Sequence, residues 1–134
     1  MTQFAIEEQI LGVARTLSIR GEFVLEHVSA ADAALLRAGS DHARTLIVSL
    51  SECEFVDTAA IATLHAAFRR AQGGAGMEIV ATRGSEVRER LERTGLDRVI
   101  PTFGSMRAAL APATAQAGDR MPTELFGDWV DSSS

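Results

Sequence analysis

Residues 45–72 read TLIVSLSECEFVDTAAIATLHAAFRRAQ, and the hydrophobic pattern changes once along this segment. Residues 45–50 form a nearly continuous apolar run, as expected of a short strand covered on both faces. In residues 59–72 the apolar positions recur at helical spacing, and cations gather at the far end, where the helix dipole favours them. The segment therefore predicts a buried strand, a short junction and an amphipathic helix.

Similar units flank this segment on both sides. We predict further strands at residues 14–20, 77–81 and 99–100, the last extending as far as 103, with residues 4–10 as a hairpin partner of the first. Helices are predicted at residues 30–38 with Ser29 as the N-cap, at 85–93 between Ser85 and Gly95, and at 105–111. The alternation predicts an α/β fold with a mixed, mostly parallel sheet of about four or five strands and about four helices.

The composition indicates one globular domain. The chain has 134 residues, of which 46% are hydrophobic and 23% charged, with a net charge of −5. No apolar run is long enough for a membrane span, the N-terminus is acidic, and Cys53 is the only cysteine, so we predict no membrane insertion and a cytoplasmic location. We assign residues 1–111 to the domain and 112–134 to a flexible acidic tail. Residues 124–130 hold the only tryptophan, and their docking on the domain or on a partner stays open.

The sequence has no recognisable catalytic or metal-binding arrangement. No Cys/His cluster has ligand spacing and no nucleophile lies in a known elbow, so we predict no enzyme activity, no metal and no cofactor. His65 falls in the apolar stripe of its helix and is predicted to be a core residue. Arg88, Arg90 and Arg93 alternate with glutamates, which is typical of a solvated helix face and argues against nucleic-acid binding.

Two short motifs resemble those of the STAS domain family, in its anti-sigma factor antagonist branch. Asp57-Thr58-Ala59-Ala60-Ile61 lies between the buried strand and the amphipathic helix, where the family has Asp-Ser-Ser-Gly-Leu or a variant of it. Downstream, residues 94–96 read Thr-Gly-Leu, as at the end of the family's third helix. With the order of the predicted elements, the resemblance covers residues 4–111 and implies the STAS fold.

The resemblance also implies a function. Such antagonists bind an anti-sigma factor serine/threonine kinase, a histidine-kinase-like ATPase, and are released when it phosphorylates them; a serine/threonine phosphatase reverses this. By position, Thr58 is the acceptor hydroxyl. Ala59 and Ala60 depart from the usual second serine and glycine. The implied partner-binding residues are Asp57, Thr58, Ala59, Ile61 and Ala62, and Phe55 is predicted to anchor the junction in the core.

Other interpretations stay open at this point. Asp57 and Thr58 are also residue types that commonly cap the start of a helix, and this role requires no partner protein. Val56-Asp57-Thr58 together with His65 also resembles the STAS subunit of bacterial lipid-transport ATPases, which binds without phosphorylation. A third interpretation is that the chain is a small-molecule sensor, which binds an anion at the start of a helix. A homodimer is possible.

Overall fold

In the computed structural model, which describes residues 3–111, six strands and five α-helices follow one another along the chain. The strands are β1 Ala5–Leu11, β2 Ala14–Phe23, β3 Thr45–Ser49, β4 Cys53–Val56, β5 Met77–Val80 and β6 Thr102–Phe103. The helices are α1 Val28–Gly39, α2 Thr58–Ala71, α3 Glu86–Thr94, α4 Leu96–Val99 and α5 Met106–Ala109. The predicted tail, residues 112–134, and the docking segment 124–130 within it lie outside the described residues.

The strands form one mostly parallel sheet in the order β1-β2-β3-β5-β6, with β4 beside β2. Only β1 runs antiparallel to its neighbour. The first half of β2 pairs with β3 and its end pairs with β4, and the register shifts between Gly21 and Glu22. Gly21 has φ +84°, a conformation that side chains with a Cβ rarely adopt. Gly21 therefore allows β2 to pair with both β3 and β4. As a result β2 continues to Phe23, beyond the predicted end at residue 20.

The main core lies on one face of the sheet, under α1, α2 and α3. Leu17, Val48 and Ile79 of the central strands meet Leu64 of α2 and Leu91 of α3, all fully buried. A second, smaller cluster on the other face joins strand residues to α5; it consists of Ala14, Ile47, Val80 and Ala109, with Phe103 and Met106 against them. The predicted α/β fold with a mixed, mostly parallel sheet is confirmed. None of the helices within residues 3–111 has the length and apolar content to cross a membrane.

Three local predictions differ from the structure. Strand β4 was not predicted, because its four residues mix polar and apolar types and are stabilised by pairing with the distant end of β2. The strand predicted at 99–103 forms only at its end, as β6, because Val99 is the last residue of α4 and Ile100 is its C-cap. Helix α1 begins at Val28, and Ser29 does not cap it; a 3₁₀ turn at Leu25–His27 leads directly into the helix, with the His27 ring stacked on Phe4 at 4.1 Å.

Three side-chain predictions are also wrong. His65, in the middle of α2, is half-buried and does not belong to the core. Phe55 is half-buried as well, and Arg90 of α3 lies over its ring at 5.2 Å from the centroid; the fully buried residues at this junction are Val56 and its strand partner Phe23. Arg88 is not on a solvated face: it is 6% exposed and donates a 2.8 Å hydrogen bond to the Ala81 carbonyl.

The buried guanidinium of Arg88 should matter for stability. Its Nε also lies 3.3 Å from the carboxylate of Glu92, an exposed side chain, so the charge is compensated at the boundary between core and solvent. We expect Arg88→Ala to lower the free energy of unfolding by about 1–3 kcal/mol, through the orphaned Ala81 carbonyl and lost packing. Arg93→Ala, at the exposed end of the same helix, should change it by less than about 0.5 kcal/mol. Urea denaturation of both variants checks this, and equal effects would contradict the role given to Arg88.

Gly95 ends α3 in the left-handed conformation, as its place in the Thr-Gly-Leu motif predicts. Its φ is +78° and its N–H donates to the Leu91 and Glu92 carbonyls. A Cβ there would meet no atom within 4 Å, so only backbone strain opposes a side chain. Gly95→Ala should therefore destabilise the domain by about 1–2 kcal/mol. Gly73→Ala, at an open turn position without positive φ, is the matched control and should be nearly neutral in thermal unfolding.

Candidate functional site

The junction between β4 and α2 is organised by the carboxylate of Asp57. Its Oδ1 accepts a 2.9 Å hydrogen bond from the Ala60 N–H and so caps α2. Its Oδ2 accepts a second one, also 2.9 Å, from the Leu25 N–H in the loop that follows β2. The Asp57 N–H in turn donates to the Phe23 carbonyl at 3.3 Å. The predicted capping role of Asp57 is confirmed, and the same side chain ties the helix start to a second loop.

Thr58 is the first residue of α2, and its side chain is exposed. Its hydroxyl makes no hydrogen bond to any other residue in the range 3–111. One turn further, Thr63 is 8% exposed, and its hydroxyl donates to the Ala59 carbonyl at 2.8 Å. Of these two hydroxyl groups, only that of Thr58 is therefore accessible to another protein.

The other residues assigned to the partner surface differ in exposure. Ala62 is exposed on α2 one turn after Thr58, whereas Ala59 and Ile61 are half-buried. Ile61 packs against the main core, so it supports the helix as well as reaching the surface. Ala60 is fully buried, so the residue that stands where the family usually has glycine is not part of the surface. The five predicted residues thus lie together, with Thr58 and Ala62 outermost.

Leu25 belongs to the same surface, although no sequence motif predicts it. Its side chain is 70% exposed, and its N–H is the group bound by Asp57. No local pattern in the sequence could have found Leu25, because its neighbour Asp57 is 32 residues away. We call Leu25, Thr58 and Ala62 the outer face of the junction.

Two ionisable groups near the junction are an ion-paired glutamate and a buried thiol. Glu52 forms an ion pair with Arg20 at 2.7 Å, so the charge of this acid is already compensated. Burial raises the pKa of the Cys53 thiol, which keeps it protonated and unreactive at neutral pH. No group of three or more histidines, cysteines or acids in residues 3–111 is placed to hold a metal ion. What the junction offers chemically is a hydroxyl, two exposed apolar side chains and a helix start.

Most of the described chain is similar to a known protein family and to solved structures. A family model described as STAS domain matches residues 5–109. Comparison with curated proteins gives no match. Among solved structures, an anti-sigma factor antagonist from Mycobacterium paratuberculosis is 22% identical, with a TM-score of 0.74, over 81% of this chain and 92% of that one.

Two further structures share the fold. The Bacillus cell fate determinant SpoIIAA in its phosphorylated form is 18% identical, with a TM-score of 0.57, over 81% of this chain and 96% of that one. A sulfate transporter family protein from Wolinella succinogenes is 18% identical, with a TM-score of 0.60, over 80% of this chain and 87% of that one. The same architecture therefore occurs both in antagonists and in a transporter protein.

Proposed function

The chain belongs to the STAS domain family, as its motifs predicted, and from this premise we propose that it acts as an anti-sigma factor antagonist. In this function it is a cytoplasmic binding module without enzymatic activity. It binds an anti-sigma serine/threonine kinase with the outer face of the junction, is released when Thr58 is phosphorylated, and is restored by a phosphatase. The unphosphorylated chain thereby frees the sigma factor and permits transcription, whereas the chain phosphorylated on Thr58 does not. The observation that carries this proposal is the exposed, unengaged hydroxyl of Thr58 on the first residue of α2.

The helix start can hold a phosphate without refolding. The backbone N–H groups of Thr58 and Ala59 have no intrahelical acceptor, and the positive end of the helix dipole lies beside them. A phosphate brings about −1.5 to −2 charges at neutral pH, and these groups are suited to bind it. We therefore expect phosphorylation to leave the fold of the domain unchanged.

The same phosphate is unfavourable in a complex. The outer face is otherwise uncharged, with one threonine, one alanine and one leucine, so a partner that matches it offers a neutral surface. The added charge also lies beside the carboxylate of Asp57. Desolvation and repulsion together cost several kcal/mol, enough to weaken binding about a hundredfold or more. The switch therefore needs only a change of charge at the interface.

Leu25 should contribute to binding of the kinase. Leu25 is the largest apolar side chain of the proposed interface, and truncation of such an anchor residue costs about 1–2 kcal/mol, so we expect Leu25→Ala to weaken binding about fivefold to thirtyfold. Leu36→Ala is the matched control, because Leu36 is 54% exposed on α1 but lies outside the outer face. Calorimetric titration of both variants checks this. Equal affinities for Leu25→Ala and wild type would remove Leu25 from the interface.

A second candidate partner is the ATPase of a lipid-transport system. The sequence Val56-Asp57-Thr58 together with His65, which resembles the STAS subunit of such systems, supports it. In this function Thr58 contacts the ATPase and is not modified. The two candidates share a surface and differ in chemistry, so the identity of the partner and the presence of phosphate separate them.

Co-purification and labelling test the proposed function together. The tagged full-length chain should retain a histidine-kinase-like ATPase from its own cells, and that kinase should transfer labelled phosphate from ATP to Thr58. Thr58→Ala should lose the label, whereas Thr63→Val, which removes the buried hydroxyl at nearly constant volume, should keep it. Retention of an ABC-type ATPase without labelling would favour the second candidate. Label that persists in Thr58→Ala would overturn the assignment of the acceptor.

A further inference from the structure

The sheet face opposite α1, α2 and α3 carries a groove. Parallel strands are usually covered on both faces, but among the described elements only the four-residue helix α5 packs on this side. A groove of about 230 Å³ lies beside α5, and its walls include Val13, Ile47, Glu78, Leu110 and Ala111. Val13 is 81% exposed and Leu110 is 39% exposed. The groove thus has an apolar rim that the described residues leave uncovered.

Glu78 gives this groove a specific chemistry. Its Oε1 is buried and has no hydrogen-bond partner among residues 3–111. Burial also raises the pKa of this carboxyl group, because the surrounding groups do not compensate a negative charge there. A buried acceptor without a donor is costly, so an occupant of the groove is favoured if it brings an N–H or O–H together with apolar surface.

The chain that leaves the groove contains such a residue. Ala111 lines the groove, and the sequence continues for 23 residues, to Ser134. The large apolar side chains of this continuation concentrate in residues 124–130. They include Trp129, the only tryptophan of a chain without tyrosine, whose indole has one N–H donor and a large apolar ring. Eighteen residues of chain span up to about 60 Å, more than twice the radius of gyration of such a domain, so the tether is long enough.

We propose that Trp129 of the same chain occupies this groove, with its indole N–H directed to Glu78 and the apolar residues beside it against Val13 and Leu110. This contact completes the cover of the sheet on its second face. It lies on the side of the sheet opposite α2, so it leaves the outer face of the junction free and is independent of the proposed function.

The fluorescence of the single tryptophan reports directly on this contact. In the full-length protein we expect blue-shifted emission and acrylamide quenching well below that of the urea-unfolded chain. Val13→Asp places a charge at the rim and should raise the quenching constant towards the unfolded value, without loss of the far-UV circular dichroism. Leu36→Asp is the matched control, since Leu36 lines a different groove, between α1 and α2, and should leave quenching unchanged. Release by Leu36→Asp but not by Val13→Asp would overturn the proposal.

Glu78 provides a second arm of the test. Glu78→Ala removes the acceptor and should increase quenching, whereas Glu78→Gln retains an acceptor oxygen and should restore protection. Emission should not depend on protein concentration, and sedimentation should show the same mass for wild type and Val13→Asp. Protection that vanishes on dilution would place the tryptophan on a second copy. Quenching equal to that of the unfolded chain in the wild-type protein, with protection only when a partner is added, would likewise contradict the intramolecular contact.

Discussion

Thr58→Asp should bind the anti-sigma kinase about a hundredfold more weakly than the wild-type protein, a loss of about 3 kcal/mol. The substitution places a permanent negative charge on the exposed first residue of α2, between the uncharged side chains of the outer face and the carboxylate of Asp57. An acidic side chain at this position is favourable for the helix itself, by a few tenths of a kcal/mol or more, because the dipole is positive there. A binding loss without a loss of stability is therefore the expected signature.

Thr58→Asn is the matched control for this variant. Asparagine has nearly the shape of aspartate and no charge, so binding should stay within about tenfold of wild type if charge is the cause. Affinities measured by calorimetry, with urea denaturation of each variant, separate binding from folding. If Thr58→Asn and Thr58→Asp weaken binding equally, the cause is the size or shape of the new side chain and not its charge. The proposed electrostatic switch would then be wrong.

Asp57→Ala should produce the largest loss of stability among changes at the junction. It removes the cap on Ala60, commonly worth about 1 kcal/mol, and the bond from Leu25, a hydrogen bond to a charged group worth about 1.5 kcal/mol. We expect the free energy of unfolding to fall by about 2–3 kcal/mol. Because Leu25 is held beside α2 by this carboxylate, kinase binding should weaken too, even under conditions where the variant remains folded.

Asp57→Asn separates the two roles of the carboxylate. The amide keeps one acceptor oxygen, so it can satisfy either Ala60 or Leu25 but not both. Its stability should lie between those of wild type and Asp57→Ala in urea denaturation monitored by circular dichroism. A fully stable Asp57→Ala variant would mean that the two hydrogen bonds contribute little and that packing alone holds the two loops together.

Hydrophobic periodicity and capping residues were sufficient to predict the strands and helices that depend on nearby residues. The apolar run at β3 and the helical repeat of α2 each carry a strong hydrophobic period, and the structure places them within one residue of the prediction. The Gly95 stop and the Ser85 cap of α3 are likewise local backbone effects and are confirmed. The junction motif placed Asp57 and Thr58 correctly at the start of α2 for the same reason.

What the sequence could not predict depends on distant contacts. Strand β4 exists because β2 bends at Gly21 and offers it an edge. Arg88 looks solvated in an alternating charge pattern, but the fold brings the Ala81 carbonyl within reach of its guanidinium. Leu25 becomes part of the outer face only because the loop after β2 closes onto Asp57. In each case the deciding partner is remote in sequence, and periodicity carries no signal of it.

The most direct test of the central claim is the affinity of one preparation for the anti-sigma kinase before phosphorylation, after stoichiometric phosphorylation and after phosphatase treatment. We expect tight binding before phosphorylation, a loss of affinity of about a hundredfold or more with phosphate on Thr58 alone, and full recovery after phosphatase treatment. Unchanged affinity in the phosphorylated protein, or phosphate located on any other residue, would contradict it.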